Sequence, residues 1–255
     1  MNTLTSKIDF FVKSRKPPYI KLLKTIDSNI QVWIVDGKYV RNNMGEDFTN
    51  FGQHFQEGLD FIPKNELWLD KEFVPDDWKF YIKNLLIQHK LGIKGKPYLD
   101  QYLAGMKAER KMRRKEKDLK ELTRRDGKLR LPKGKDFHER LWKRLEDEDQ
   151  TQIWIVDGKK VRDVLDPNFT EGCHEYVYEY CPEGEVWIDN DIMPEERGYV
   201  LVHELHERNL MAKGMGYHKA HQSSLKVEKY CRKHPDMLHE KLMDEGFTYD
   251  SSEEE

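Results

Sequence analysis

The stretch IQVWIVDGKYVR at residues 30–41 returns as TQIWIVDGKKVR at residues 151–162, and that return decides how the chain is organised. Each copy goes on to an FT element (DFT at 47–49, NFT at 168–170), then G-x-H at 52–54 and 172–174, then ELWLD at 66–70 or EVWID at 185–189. From Glu66 and Glu185 onward the two run without a gap: Pro75 falls on Pro194, Gly95 on Gly214, Tyr98 on Tyr217 and Glu109 on Glu228. Self-similarity in this order marks a duplicated domain. The expected layout is an N-terminal extension at 1–29, a first repeat at 30–110, a charged helical linker at 111–150, a second repeat at 151–245 and an acidic tail at 246–255.

Within each repeat the local signals point to strands followed by helices. Apolar residues alternate around Asp36-Gly37 and Asp157-Gly158, the dipeptide that favours a two-residue type I′ hairpin. A second strand pair is expected from YVYEY at 176–180, the CPEGE turn and VWID, with Ile62 and Pro63 near the matching turn of the first copy. Pro194-Glu195-Glu196 opens a helix, with proline in the first turn and acids at the positive end of the dipole. That helix should stop near Gly214, a second should run from Tyr217 to Arg232, and PDMLHEKLMDEG at 235–246 should add a short third. The fold class expected is α+β: two homologous repeats, each a small antiparallel sheet followed by two or more packed helices. Trp33, Trp68, Trp154 and Trp187 recur in matching strand positions and are expected in the cores.

Composition narrows the function classes. The chain has 255 residues, 37% hydrophobic and 36% charged, with a net charge of −3, as a heavily solvated protein with modest cores would. No window approaches 18 uninterrupted apolar residues and the N-terminus lacks a small-residue cleavage site, so no membrane partner is expected. Cys173, Cys181 and Cys231 are odd in number and lack C-x-x-C spacing, which fits buried thiols in a reducing cytoplasm of a cell or host, or a virion protein. Residues 107–135 carry about fourteen basic residues to five acidic ones. Arg113, Arg114, Arg124 and Arg125 there are candidates for contacting nucleic-acid phosphates, although the stretch has no aromatic residue to stack on bases and reads more simply as a solvated connector.

Chemistry concentrates in LVHELHERNLMAKGMGYHKAH, residues 201–221. It is close to the zinc-hydrolase helix H-E-x-x-H, with Glu207 in the place of the second histidine and His206 one position early. At about 100° per residue His203 and Glu207 share a face with Tyr199, Val200 and Leu210, and on the next helix Tyr217, His221, Ser224, Leu225 and Glu228 share another. Imidazoles and carboxylates facing one another across a helix pair are costly to bury without a counter-ion or metal. His203, Glu207 and His221 form a candidate zinc-binding trio, with Glu228 as substitute or supporting partner. Glu204, directly after the first ligand, is the candidate base; His206, His218 or His174 are candidates to stabilise an oxyanion. A hydrogen-bonded polar core is the competing reading. His174 is repeated as His54, which favours a structural role for it. No glycine-rich phosphate loop, nucleotide fingerprint or Ser/His/Asp arrangement is apparent.

The first copy acts as an internal control. Where the second has His203, Glu204, His206, Glu207, His218 and His221, the first has Asn84, Leu85, Ile87, Gln88, Leu99 and Tyr102. The cluster is therefore not needed to build the domain. W-I-V-D-G, F-T-x-x-G-x-H, E-x-W-I-D and H-E-L-H-E-R-N-L-M-x-x-G-x-x-Y-x-x-A-H together resemble a domain of uncharacterised bacterial and phage proteins, some of them metallopeptidase-like. The resemblance carries no established activity; the His/Glu cluster itself points to a zinc-dependent hydrolase of unknown substrate, metallopeptidase-like in layout, with its site in the second repeat. A non-enzymatic interaction or assembly protein with an unidentified protein partner, and nucleic-acid binding through the basic stretch, are the alternatives.

Overall fold

The computed structural model describes residues 17–27, 29–45, 48–49, 51–56, 59–72, 75–115, 137–144 and 151–247. The chain divides into two compact units, residues 1–122 and 123–255. The first contains β1 (Tyr19–Ile26), β2 (Ile30–Val35), α1 (Gly37–Asn43), β3 (Gly52–His54), β4 (Glu66–Asp70), α2 (Trp78–Ile93) and α3 (Tyr98–Arg113). The second repeats that order as β5 (His138–Arg144), β6 (Gln152–Val156), α4 (Gly158–Val164), β7 (Gly172–His174), β8 (Glu185–Asp189), α5 (Pro194–Ala212) and α6 (Tyr217–Lys233), and adds α7 (Leu238–Asp244). The fold is α+β, and both halves follow one plan.

Three expectations are corrected. The sheets are mixed rather than antiparallel: their orders are β1-β2-β4-β3 and β5-β6-β8-β7, and the central pairs β2/β4 and β6/β8 run parallel. Asp-Gly starts a helix instead of turning a hairpin. Asp36 accepts from the Tyr39 amide at 3.1 Å and Asp157 from the Lys160 amide at 2.9 Å, so each caps a helix N-terminus. Glycine follows because the chain passes close to the end of the neighbouring strand: a Cβ on Gly37 would stand 1.7 Å from Asp70 Oδ2, and one on Gly158 1.9 Å from Asp189 Oδ1. Arg41 and Arg162 then reach those same buried aspartates, which explains the repeated D-G-x-x-V-R. YVYEY forms turns, and the partner of β8 is β7, the G-x-H segment, in antiparallel register.

Each sheet also begins upstream of the repeated segment. β1 lies in the expected extension and β5 in the expected linker; residues 116–136, which hold Arg124 and Arg125, and the tail from 248 lie outside the described residues. Strand alternation sorts the core into two layers. In the first unit Val32, Ile34, Leu67 and Leu69 face α2, while Trp33, Val35 and Trp68 pack with Val40 of α1 and Phe48. In the second, Ile153, Ile155, Val186 and Ile188 meet Val200, Leu201 and Leu205 of α5. Trp154 departs from expectation in being only partly buried, stacked on His138 at 3.9 Å. The three cysteines are free and buried. Among the described residues no helix is long and apolar enough to cross a membrane.

Candidate metal centre

The helix pair α5/α6 turns at Gly214, whose φ of +89° suits glycine, and so lays the two polar faces against each other. Three acceptor atoms converge there. His221 Nδ1 lies 2.8 Å from Glu207 Oε2 and 3.2 Å from His203 Nε2, and the last two are 3.8 Å apart. Ligands held at 2.0–2.1 Å around a tetrahedral zinc stand about 3.3 Å from one another, so the triangle has the right size for one ion. His203, Glu207 and His221 can hold a metal ion.

Protons alone serve this triangle poorly. His221 Nδ1 can accept from His203 or donate to Glu207, but one ring nitrogen cannot do both. The surroundings favour positive charge. Burial works against charging the His203 ring, yet the hydrogen bond and charge of Glu228, with Glu204 and Glu207 nearby, lift its pKa to about 9. Burial likewise opposes ionising Glu207, but hydrogen bonds from His174 and His221 bring it down to about 2.

Glu228, expected as substitute or supporting partner, lies behind His203: its Oε2 takes the Nδ1 side of that ring at 2.9 Å, which leaves Nε2 aimed at the triangle. Arg232 donates to Glu228 at 2.9 Å and to Glu196 at 2.8 Å, fixing that carboxylate from behind. The fully buried His174 lies 3.2 Å from Glu207 Oε1 and orients that carboxylate from β7. Glu204 sits over Gly172, where a Cβ would come within 3.0 Å of its Oε1. Burial pushes its carboxyl pKa up, partly offset by His174 and His203, and among the described residues no hydrogen bond engages it. Tyr217, 47% exposed, stacks on His221 at 5.5 Å and forms part of the mouth.

Two expected residues lie elsewhere. His218 is exposed and is not brought into the cluster. His206 is committed to Ser223 and Glu245, at 2.9 Å and 2.6 Å, so it is corrected as an oxyanion group for this centre. Arg113 is also corrected: it is fully buried, paired with Asp77 at 3.1 Å and Glu109 at 2.8 Å, and offers nothing to a phosphate. Asp77, Glu109 and Arg113 match Glu196, Glu228 and Arg232 in the repeat alignment. That pairing was available to sequence reasoning and would have marked both arginines as internal.

The first repeat shows what replaces the centre. Asn84 donates to Glu109 at 2.7 Å, as His203 faces Glu228, and Gln88 donates to Asn84 Oδ1 at 2.7 Å. Two amides close the site with matched donors and acceptors. Beside them a cleft of about 900 Å³ is lined by His54, Phe55, Lys64, His89, Tyr98 and Gln101. Comparison with protein families, curated proteins and solved structures finds no match.

Proposed function

We propose that the second repeat is a metal-dependent hydrolase, with zinc bound by His203 Nε2, Glu207 Oε2 and His221 Nδ1. The observation that carries this reading is the contrast between repeats: three acceptors converge in one, and a self-satisfied amide pair stands in the other. Bound there, zinc supplies a Lewis acid and a water acidic enough to lose a proton near neutral pH. Glu204 would take that proton: it follows a ligand directly, has among the described residues no hydrogen bond that would have to break, and has a raised pKa. Glu228 and His174 hold the ligands in orientation.

The test is direct. Protein purified without a histidine tag should carry about one zinc per chain, and Glu204→Gln should keep that metal while hydrolysis of a peptide library falls by about a hundredfold or more. Absence of zinc, iron, manganese and nickel, with no thermal shift on adding them, would remove the metal reading; full activity in Glu204→Gln would remove the base assignment.

A second reading, binding of a partner without chemistry, is favoured by the first repeat. Its cleft is lined in part by Ile93, 72% exposed, and α3 carries Leu99 and Leu103, 62% and 53% exposed. Nucleic-acid binding keeps only Arg114 as an exposed candidate among the described residues.

A further inference from the structure

Outside the metal centre the second repeat assembles a serine, an imidazole and a carboxylate in hydrogen-bonding sequence. His206 on α5 lies 2.9 Å from Ser223 Oγ on α6 through Nε2, and 2.6 Å from Glu245 Oε1 through Nδ1. Asn209, one turn further along α5, donates to Glu245 Oε2 at 2.8 Å and so fixes the carboxylate. With Nδ1–H directed at Glu245, Nε2 is left as the acceptor for the Ser223 hydroxyl. This is the arrangement that activates a nucleophilic hydroxyl: base within reach, base oriented by a third group. The neighbouring Ser224 shows the ordinary alternative, its hydroxyl spent on the Ala220 carbonyl. The relay is not buried away, since the side chains of His206 and Glu245 are 18% and 15% exposed.

Helix packing does not require it. In the first repeat the positions of His206 and Ser223 are Ile87 and Ala104, and the equivalent pair α2/α3 forms without them. His206 and Ser223 thus stand where the fold itself accepts apolar residues, and Glu245, at the end of α7, meets them there.

We propose that Ser223, His206 and Glu245 form a second hydrolytic site, acting on activated acyl esters independently of a cation. Ser223 Oγ adds to the ester carbonyl carbon while its proton passes to His206 Nε2. The bond to the leaving alkoxide breaks, His206 returns the proton to it, and the acyl group remains on Ser223. Water, deprotonated by His206, then releases the carboxylic acid and restores the serine. Glu245 stabilises the imidazolium in both halves. Ser223 sits in mid-helix, so its own N–H is engaged there; the exposed Lys219 and Lys226, four residues before and three after it, share its side of the helix and supply positive charge toward the carbonyl oxygen.

The full chain is treated with a fluorophosphonate probe, once after chelation and once with zinc added, and the adduct is located by peptide mass mapping. One adduct per chain on Ser223 under both conditions is expected, with p-nitrophenyl acetate hydrolysis lost in Ser223→Ala. His206→Gln should slow labelling by about a hundredfold. No adduct, an adduct on another residue, or labelling undiminished in His206→Gln overturns the proposal. Mapping on the unaltered chain decides the question even if a variant misfolds. Chelation separates this result from the metal centre, which fails or stands on its metal content alone.

Discussion

The carboxylate most exposed to testing is Glu228, because it separates a support from a ligand. It faces His203 on one side and Arg232 on the other, and burial opposes its charge, but the His203 hydrogen bond and the Arg232 charge hold its pKa below the usual carboxylate range. Removing it leaves the buried guanidinium of Arg232 with Glu196 alone and lets the His203 ring rotate. Glu228→Ala should therefore cost about 3 kcal/mol in denaturant unfolding and weaken zinc by about 10- to 100-fold without abolishing binding. Complete loss of zinc from a folded variant would make Glu228 a ligand after all. The residue types of this cluster were legible in the sequence, but their division of labour was not. Glu207 and Glu228 each share a helix face with a histidine, four residues after His203 and seven after His221, and only the position of Arg232, one turn beyond Glu228, tells them apart.

Helices were more legible than sheets, for a physical reason. Pro194 and Gly214 mark the ends of α5 by local backbone chemistry, and the structure ends the helix at Ala212 with Gly214 at positive φ. Asp36-Gly37 was ambiguous because glycine serves two needs, a positive φ or a close approach, and sequence does not distinguish them. The parallel pairing of β2 with β4 is a non-local choice made through α1 and β3. At the level of the helix pair, the two repeats supply an exchange experiment. His203→Asn combined with Glu207→Gln rebuilds the amide ladder seen at Asn84 and Gln88, so donors and acceptors stay matched across α5/α6. The metal-free double variant should unfold within about 1 kcal/mol of the metal-free parent, whereas His203→Ala, which strands Glu228, should lose about 2 kcal/mol. Neither should bind zinc. A double variant less stable than His203→Ala would show that the two helix pairs are not interchangeable at these positions.

Across the whole chain, duplication followed by divergence left two units that should answer to different solution variables. Zinc at a hundredfold excess over its dissociation constant should stabilise only the second unit, by about 2.7 kcal/mol. Acid should act on the first through His54. Burial disfavours charging its ring, the nearby His89 disfavours it further, and contacts to Gln88 and the Phe55 backbone only partly compensate, so its pKa falls from 6.5 to about 4. The unfolded chain then binds a proton between those limits that the folded chain does not. Stability of the first unit is therefore complete above pH 6.5, declines as pH falls below it, and levels near pH 4 after a loss of about 3 kcal/mol from this group. In scanning calorimetry the transition that zinc leaves unmoved should shift downward between pH 7 and pH 4.5, and His54→Gln should flatten that slope. A slope identical in the variant would place the acid sensitivity elsewhere and leave His54 as packing alone.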